Sequence, residues 1–345
     1  MKKKVLILGG AGFIGLGIAK YLGENKNYNI TIADIFSPGQ KDADFDQVVS
    51  DYSIKVIEGD FADPEMFEKL DNNYDYVYML ASVVGVNRCI EEPHEVIRIN
   101  TALIQNSLKW ITENNIGKVL FSSSSECYAA TTDTFDYPVP TPEKVPLTIS
   151  EIGHPRFTYA VTKMLGESAF LTYGEKYNFP VTVVRYQNIF GPRMGFKHVI
   201  PHLVERFYNN ENPFKIYGAD QTRAFCYITD AAAGTVMAME NENSDQEIYH
   251  MGSPEEITIE ELTKTVGKMM GYKGEYKTAP TYPGSVSRRC PDISKSIKHL
   301  GYTPKVFWID GLKETISWYI DFYKSGLPFN SGGFKAPDEL SYQEL

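Results

Sequence analysis

Residues 5–15 read VLILGGAGFIG, and this segment predicts the architecture of the whole chain. Four consecutive apolar residues, Val5–Leu8, are typical of a buried parallel strand. Gly9, Gly12 and Gly15 follow in GxxGxxG spacing, and an amphipathic helical pattern continues from them. Glycine permits the tight turn and lets backbone N–H groups approach a pyrophosphate at the positive helix N-terminus. The segment therefore predicts a dinucleotide-binding strand, turn and helix.

Five further apolar runs predict the other strands of the same sheet. They are short and mostly apolar, as expected for parallel strands that are buried on both faces. Amphipathic segments separate them, which predicts right-handed crossovers with helices on both faces. The expected fold class is α/β, a Rossmann doubly wound parallel sheet. The further predicted strands are Ile30–Ala33, Ile54–Ile57, Tyr76–Leu80, Val119–Ser122 and Val181–Arg185, and the predicted helices are Gly12–Leu22, Pro64–Leu70, Pro93–Asn114 and Tyr159–Tyr177.

After about residue 190 the pattern becomes irregular because proline and glycine interrupt it often. Helical periodicity returns at Thr258–Met270 and Gly311–Tyr323. The sequence therefore predicts three parts. They are a dinucleotide-binding Rossmann domain at 1–185, a smaller, irregular α/β substrate-binding domain at 186–325 that returns in part to the Rossmann sheet, and a C-terminal tail at 326–345.

The composition excludes several classes of protein. The chain has 345 residues and a formal net charge of −10, which argues against nucleic acid as a partner because such proteins usually present a basic face. No run of eighteen apolar residues is present, so no membrane span is expected. Cys89, Cys127, Cys226 and Cys290 are scattered without metal-binding spacing. This predicts no metal site, and free thiols in a reducing cytoplasm.

The ends of the second, third and fourth strands predict which dinucleotide is bound. Asp34 lies nineteen residues after Gly15, where a carboxylate accepts hydrogen bonds from the adenosine ribose and repels a 2′-phosphate. NAD is therefore expected rather than NADP. Asp60 and Phe61 are expected at the adenine, as a hydrogen-bond acceptor and a packing ring. Leu80–Ser82 ends the fourth strand, where small residues let the cofactor lie close.

Tyr159 and Lys163 are four residues apart on one face of a predicted helix, in the only Tyr-x-x-x-Lys of the chain. Because an adjacent ammonium stabilises a phenolate, Lys163 is expected to lower the pKa of Tyr159 and to reach the nicotinamide ribose. Tyr159 is then the proton carrier of an alcohol–ketone exchange in which NAD carries the hydride. A serine of Ser122–Ser125 is expected to hydrogen-bond the reacting oxygen, and strand alternation leaves open which one.

Nine segments of the chain together resemble one family, the extended short-chain dehydrogenases/reductases of the NAD-dependent epimerase/dehydratase group, which act on nucleotide sugars. The resemblance covers residues 4–325, with the segments in the family's order and spacing. They are GGAGFIG at 9–15, Asp34, GDF at 59–61, LAS at 80–82, SSSSECY at 122–128, YAVTK at 159–163, RYQNIFGPR at 185–193, QTRAFCYITD at 221–230 and RRCPDISK at 288–295.

The resemblance implies roles that spacing alone does not assign. It makes Ser124 the catalytic serine and adds Glu126 to the catalytic set of Tyr159 and Lys163. It also implies that arginines bind the phosphates of a nucleotide-diphosphate sugar, with Arg289 as the substitute for Arg288. The implied cofactor-binding residues are Gly9, Gly12, Phe13, Ile14, Gly15, Asp34, Ile35, Asp60, Phe61, Leu80, Ala81, Ser82, Ser122, Tyr159 and Lys163. The implied substrate-binding residues are Val84 within Val83–Val86, Ser124, Ser125, Asn188, Val199 within Lys197–Pro201, Arg223 and Arg288.

The resemblance leaves open which reaction follows oxidation of the sugar at position 4. A 4-epimerase that works through a transient 4-keto sugar, with Tyr159 as acid/base, is the main expectation. The alternatives are a nucleotide-sugar 4-dehydrogenase or reductase, and a decarboxylase of a nucleotide-linked uronic acid, which Ser125-Glu126 resembles. A 4,6-dehydratase is disfavoured because its catalytic residue is typically followed by Asp-Glu. A non-catalytic NAD-binding module is a remote alternative, since it predicts a damaged Tyr/Lys pair.

The resemblance also implies a homodimer. In the family, the helices that correspond to Pro93–Asn114 and Tyr159–Tyr177 pair with their copies in the partner. The expected interface is a four-helix bundle.

Overall fold

The computed structural model describes residues 1–36, 40–281 and 285–326, so the expected tail lies outside the described residues except for Gly326. The strands are β1 Lys3–Leu8, β2 Tyr28–Asp34, β3 Lys55–Glu58, β4 Asn73–Met79, β5 Asn115–Ser124, β6 Val181–Tyr186, β7 Ile189–Phe190, β8 Phe214–Tyr217, β9 Thr222–Ala224, β10 Cys226–Tyr227, β11 Glu247–Met251, β12 Glu256–Thr258, β13 Tyr276–Ala279 and β14 Arg288–Arg289. The α-helices are α1 Phe13–Asn25, α2 Ala43–Tyr52, α3 Val86–Glu91, α4 Pro93–Glu113, α5 Thr131–Phe135, α6 Thr158–Tyr177, α7 Val199–Tyr208, α8 Ile228–Glu240, α9 Ile259–Met269, α10 Ser294–Leu300 and α11 Trp308–Lys324. Short 3-10 helices lie at Pro64–Lys69, Ser125–Tyr128, Pro155–Phe157 and Glu242–Ser244.

The main sheet has seven strands in the order β11-β6-β5-β4-β1-β2-β3, and every neighbouring pair is parallel. This arrangement, with helices on both faces, confirms the predicted Rossmann doubly wound sheet. All six predicted strands are present within a few residues of their expected bounds. The seventh strand, β11, was not predicted, and the segment predicted as a helix at Pro64–Leu70 is a 3-10 helix.

The first strand shows why a continuous apolar run is required. All four residues of Val5–Leu8 are buried. Successive side chains of a strand point to opposite faces, and Val5 and Ile7 accordingly belong to one hydrophobic core while Leu6 and Leu8 belong to the other. A sheet covered by helices on both faces therefore needs apolar side chains at every position of its central strand.

The parallel arrangement brings the carboxyl ends of β1, β2, β4, β5 and β6 to one edge of the sheet. The turn after each of these strands opens on that edge, which is where open α/β sheets bind their ligands. The glycine turn and the serine-rich end of β5 therefore face the same crevice.

A third hydrophobic core lies beyond this edge, formed mainly by residues after β6. Aromatic side chains dominate it, with Phe207 and Phe214 stacked at 3.8 Å between ring centroids. The chain then returns to the main sheet through β11, which pairs with β6. Among the described residues, no helix is both long and apolar enough to span a membrane. The four cysteines are free and buried.

Candidate active site

The glycine turn between β1 and α1 has the shape of a dinucleotide cradle. Gly9 has a φ of +83°, and a Cβ there would lie 2.5 Å from the backbone nitrogen of Ala81. A Cβ on Gly15 would lie 2.5 Å from the carbonyl oxygen of Gly9, so the helix and turn approach too closely for any side chain. At Gly12, the N-cap of α1, the closest atom to an added Cβ is 3.3 Å away. At all three glycines an added Cβ would thus be closer than an ordinary contact, and the missing side chains let a pyrophosphate approach the N-terminus of α1.

Asp34 is placed to meet an adenosine ribose beside this turn. Its buried carboxylate accepts hydrogen bonds from the backbone N–H of Ala11 at 2.9 Å and of Phe36 at 3.0 Å. Burial raises the pKa of Asp34, and those backbone hydrogen bonds offset part of the effect. Each oxygen keeps a second lone pair for a ligand hydroxyl. The neighbouring Ile35 is exposed.

Arg193 is a residue of this region to which the sequence assigned no role. Its guanidinium donates to the carbonyl oxygen of Ala11 at 3.0 Å and to that of Gln40 at 2.6 Å. It also forms an ion pair with Asp42. Arg193 therefore ties the glycine turn to the loop that follows β2. Its place in the family-like segment at 185–193 was the available signal.

The third and fourth strand ends agree only in part with expectation. Asp60 is exposed, and its carboxylate accepts the Ala62 N–H at 3.0 Å. The expected stacking of Phe61 on adenine is wrong, because its ring is buried in the core against Phe67 at 5.2 Å between centroids. Leu80 and Ala81 both donate to the carbonyl oxygen of Leu8 at 2.9 Å, which holds this chain segment close to the glycine turn.

Tyr159 and Lys163 lie in the first turns of α6, beside the end of β5. The Lys163 ammonium donates to the carbonyl oxygen of Ser122 at 2.7 Å, and its Nζ lies 5.6 Å from the centroid of the Tyr159 ring. The buried Lys163 is thus fixed between the strand end and the phenol. The structure brings together the pair that the sequence predicted.

Electrostatics in the protein alone oppose the expected activation of Tyr159. Burial of the phenol raises the pKa of Tyr159, and Cys127 adds to this, while a hydrogen bond with Ser124 lowers it in part. Burial also lowers the pKa of Lys163 to about 8. In the protein by itself, burial thus acts against the lowering of the Tyr159 pKa that the sequence predicts for this pair. Activation of the phenol requires additional positive charge in the crevice.

The pKa of Lys163 predicts how stability depends on pH. A folded-state pKa near 8, below the ordinary 10.5, means that between about pH 8 and 10 the unfolded chain binds more protons than the folded one. The free energy of unfolding of nucleotide-free protein should therefore rise with pH across this window. In Lys163→Met this contribution should disappear, whereas the exposed Lys264→Met should retain it. Urea unfolding at a series of pH values measures both, and equal slopes in wild type and Lys163→Met would contradict the assignment.

The serines at the end of β5 have different partners in the structure. The Ser123 hydroxyl donates to Glu167, which also pairs with the buried Arg185 at 2.7 Å. The Ser122 side chain lies 3.4 Å from the Lys163 ammonium. Ser124 remains beside Tyr159 and caps the following 3-10 helix by accepting the Glu126 N–H at 3.2 Å. Ser124 is thus the serine that hydrogen-bonds the phenol of Tyr159.

An ion pair between Glu126 and Arg289 adjoins this set, with 2.5 Å between Oε1 and Nη1. Arg289 also donates to the Ser125 hydroxyl at 3.5 Å. Burial opposes ionisation of Glu126, but Arg289, Arg156 and Arg223 together hold the pKa of this carboxyl below its usual value. Glu126 is therefore ionised at neutral pH.

The assignment of Arg288 to the substrate is wrong. Its side chain is 53% exposed and forms a two-pronged pair with Glu256, at 2.9 and 2.8 Å. The side chain of Arg289 is only 10% exposed and points to Glu126 instead. Neighbouring residues of a strand face opposite sides, so only one of the two arginines of β14 can enter the crevice. The substitute that the sequence offered, Arg289, is the one that does.

The other expected substrate residues lie on β9, in the turn between β6 and β7, in the loop after β4 and at the start of α7. Arg223 on β9 donates to Gln221 at 3.3 Å and to Ser285 at 3.3 Å, and burial lowers its pKa to about 10. Asn188 has a φ of +41°, and its amide donates to the carbonyl oxygen of Ala224 at 3.0 Å. Val84 is exposed in the loop after β4, and Val199 begins α7.

Comparison with known proteins places this geometry in a family. The model of the NAD dependent epimerase/dehydratase family matches residues 5–252. The chain is 32% identical to the UDP-N-acetyl-alpha-D-glucosaminuronate decarboxylase of Bacillus cytotoxicus over 329 residues, which is 92% of this chain and 98% of the relative. It is 28% identical to a putative UDP-glucose 4-epimerase of Methanocaldococcus jannaschii, over 91% of this chain and 97% of that protein.

Solved structures agree with the fold. A variant of the UDP-glucuronic acid 4-epimerase of Bacillus cereus, in complex with UDP-4-deoxy-4-fluoro-glucuronic acid and NAD, superposes with a TM-score of 0.83. It is 25% identical to this chain and covers 93% of it and 100% of its own length. The UDP-glucose 4-epimerase of Thermotoga maritima, with UDP-glucose, gives a TM-score of 0.77 at 26% identity, over 93% of this chain and 99% of that one.

Proposed function

Because the chain belongs to the NAD-dependent epimerase/dehydratase family, we propose that it is an NAD-dependent enzyme that oxidises position 4 of a nucleotide-linked uronic acid and then decarboxylates it. Decarboxylation was an alternative at the level of sequence. The observation that carries it here is the Glu126–Arg289 ion pair beside Tyr159 and Ser124.

The first step is removal of a proton from the sugar. When bound, NAD supplies the redox chemistry, taking a hydride from C4 at the start of the cycle and returning it at the end. Tyr159 accepts the proton of the 4-hydroxyl, and Ser124 holds the same oxygen by a hydrogen bond. Lys163 lies beside the phenol, with Nζ 5.6 Å from the ring centroid, where its charge stabilises the phenolate.

The resulting 4-keto group makes decarboxylation possible because it accepts electrons. The C5–C6 bond breaks, C6 leaves as carbon dioxide, and the bonding electrons move to C5 and the 4-oxygen. The negative charge then lies on the oxygen that Tyr159 and Ser124 contact, where hydrogen-bond donors stabilise it. A proton added at C5 restores the 4-keto sugar, which is reduced to the final alcohol.

Glu126 and Arg289 favour this outcome through charge. The ionised Glu126 carries its negative charge close to Tyr159 and can therefore accept or relay a proton while C5 is protonated. Arg289 keeps Glu126 ionised and fixed in place. Ionised Glu126 can also orient a water that delivers the proton to C5. With a neutral sugar at the same position, no carbon dioxide is lost and C5 needs no proton, so the Glu126–Arg289 pair would have no part in the reaction.

The similarity to known proteins supports the same substrate class. The Bacillus cytotoxicus relative is named as a decarboxylase of a UDP-linked aminouronic acid, and a UDP-glucuronic acid decarboxylase of Arabidopsis thaliana is 28% identical over 90% of this chain. The structural neighbour from Bacillus cereus is named for UDP-glucuronic acid as well. A uronic acid is thus common to relatives with different reactions.

Product analysis tests the proposal. We expect the pure protein with NAD to convert UDP-glucuronic acid or UDP-N-acetylglucosaminuronic acid into a product lighter by one carbon dioxide. Mass spectrometry and NMR of the nucleotide sugar identify it. A panel of neutral nucleotide sugars is the control. Absence of carbon dioxide loss from every uronic substrate would contradict decarboxylation.

4-Epimerisation, the main expectation from sequence, is the second candidate. Ser124, Tyr159 and Lys163 serve its first step equally well, and the structural neighbour with a TM-score of 0.83 is a 4-epimerase. An epimerase requires the 4-keto sugar to turn over in the crevice before it is reduced. Its product has unchanged mass and an inverted C4, so the same experiment separates the two reactions.

The chain is also proposed to act as a homodimer. Helices α4 and α6 pack side by side, and they leave Ile97 47% and Leu165 44% exposed. Exposed apolar side chains that form one patch mark protein–protein contacts, and we expect Ile97 and Leu165 to belong to such a patch. Pairing with the same helices of a second copy gives the four-helix bundle that the sequence implied.

Light scattering tests this assembly. The wild-type protein should be a dimer at micromolar concentration, and the double variant Ile97→Asp, Leu165→Asp should be a monomer, because burial of two carboxylates is unfavourable. Ile152→Asp, at an exposed position outside both helices, should stay dimeric. A monomeric wild type, or a dimeric double variant, would refute the interface.

A further inference from the structure

Arg156 lies next to the catalytic set, and the proposed reaction assigns it no role beyond its effect on the pKa of Glu126. It belongs to the 3-10 helix Pro155–Phe157, which leads directly into α6, and it precedes Tyr159 by three residues. Residues three apart in a helical segment are neighbours on its surface. The buried Phe157 and the bond from the Arg156 N–H to the His154 ring, at 3.2 Å, anchor this turn. The position of Arg156 is therefore fixed relative to the phenol.

The Arg156 side chain is incompletely satisfied. Its Nε is buried and has no hydrogen-bond partner among the residues that the structure describes. A buried donor without an acceptor is unfavourable, and more so when it carries charge. A guanidinium in this state is suited to an anion that the protein itself does not provide.

The charged groups around Arg156 include more guanidiniums than carboxylates. Arg156, Arg223 and Arg289 all act on the carboxylate of Glu126, and Arg223 also interacts with Glu256. Glu126 is already engaged by Arg289 through a short ion pair. Burial lowers the pKa of Arg156, and repulsion from Arg289 lowers it further, although Glu126 acts in the opposite direction. Glu126 and Glu256 face four guanidiniums, those of Arg156, Arg223, Arg288 and Arg289, so these groups carry a net positive charge that favours an additional anion.

Arg223 and Arg156 lie in different segments, so they can bind two different anionic groups of one ligand, the diphosphate and the sugar carboxylate. Arg223 lies on β9, a different segment from α6, and donates to Gln221 and Ser285. Arg156 lies one turn before the phenol that would contact the 4-hydroxyl of the sugar. The carboxylate of a uronic acid is attached to C5, the carbon next to C4, so it lies near the reacting centre. The diphosphate is attached at C1, which lies across the ring from C4.

We infer that Arg156 binds the sugar carboxylate and thereby selects nucleotide-linked uronic acids over neutral hexoses. A guanidinium matches a carboxylate with two parallel hydrogen bonds, which fixes both the position and the plane of the group. Arg156 is a substrate-binding residue in this role, and Glu126 and Arg289 remain as described. The inference rests on the proposed nucleotide-sugar substrate but not on whether carbon dioxide is lost.

Binding measurements on NAD-loaded protein test the inference. Calorimetry with UDP-glucuronic acid, UDP-glucose and UDP gives three dissociation constants for wild type, Arg156→Gln and Arg156→Lys. We expect Arg156→Gln to raise the dissociation constant of UDP-glucuronic acid about 10- to 100-fold. The dissociation constants of UDP-glucose and UDP should stay within about twofold of the wild-type values. Arg156→Lys should recover part of the loss. The surface variant Lys264→Gln controls for removal of one positive charge, and thermal unfolding with NAD content controls for the fold.

The outcomes separate this inference from the proposed reaction. Three results would each overturn the role of Arg156. In the first, Arg156→Gln weakens binding of all three ligands equally, and in the second it does not weaken binding of UDP-glucuronic acid. In the third, the wild-type protein binds UDP-glucuronic acid no more tightly than UDP-glucose. Selective loss of UDP-glucuronic acid supports it, even if product analysis then finds no release of carbon dioxide. In that case the decarboxylase proposal fails alone. If carbon dioxide is released and Arg156→Gln shows no selective loss, only the inference fails.

Discussion

Replacing Tyr159 with phenylalanine is expected to lower turnover about a thousandfold, because proton transfer by a positioned side chain contributes about 10²–10⁴ to the rate. The change removes one oxygen and leaves the ring in place beside Lys163. Folding and NAD binding should therefore be unchanged. Steady-state turnover, thermal unfolding and NAD titration measure the three properties.

Tyr173→Phe is the matched control for this variant. Tyr173 lies on the same helix, α6, and is exposed to solvent rather than facing Lys163. It should retain wild-type turnover. A loss of less than tenfold in Tyr159→Phe would remove the tyrosine from its role as proton carrier, whatever the control shows.

Gly9→Ala should abolish NAD binding and destabilise the fold. At a φ of +83°, a side chain strains the backbone, and the added Cβ would also lie 2.5 Å from the Ala81 nitrogen. Left-handed strain costs about 1–2 kcal/mol and overpacking about 1–3 kcal/mol, so a loss of about 2–5 kcal/mol in unfolding free energy is expected. Because the clash is with backbone, β1 and β4 must separate at the edge where the dinucleotide binds.

Gly301→Ala separates the two contributions. Gly301 has a similar φ of +70°, but a Cβ there would meet nothing within 4 Å. It should lose only the strain, about 1–2 kcal/mol, and keep NAD binding. Chemical unfolding and NAD titration compare the two variants. If both lose the same stability and both bind NAD, close packing of the glycine turn is not what the cofactor requires.

The sheet was predictable because its strands carry a strong local signal. Parallel strands buried on both faces need mostly apolar runs: Val5–Leu8 is wholly apolar, and Val181–Arg185 contains three valines. β11 was missed because its sequence, Glu-Ile-Tyr-His-Met, is interrupted by polar residues whose partners come from distant segments. The backbone N–H of His250 donates to Glu143 and its carbonyl oxygen accepts from Ser296, contacts that no local pattern reveals.

The candidate site was predictable where spacing fixes geometry. Tyr159 and Lys163 are one helical turn apart, so their juxtaposition follows from the sequence. The choice between Arg288 and Arg289 depends on which face of the two-residue strand β14 enters the crevice, and sequence does not determine that. Arg156 was missed because its importance depends on a charge cluster assembled from four separate segments. Its position three residues before Tyr159 was the only local signal.

Phe61 illustrates a further limit. A ring that follows a strand end can face a ligand or turn back into the core, and both are consistent with the residue type. Here the 3-10 helix after β3 brings Phe67 against it, so the ring is buried. The backbone of this segment remains at the sheet edge, but the side chain contributes to packing.

The central claim is that the chain oxidises C4 of a uronic sugar through Tyr159 and decarboxylates it at C5. Turnover of UDP-glucuronic acid in deuterium oxide, with NMR of the product, measures both positions at once. The account predicts a product without its carboxylate that carries one deuterium at C5 and none at C4, because the C4 hydrogen leaves and returns within the site. A product that keeps its carboxylate, or one with deuterium at C4, would contradict it.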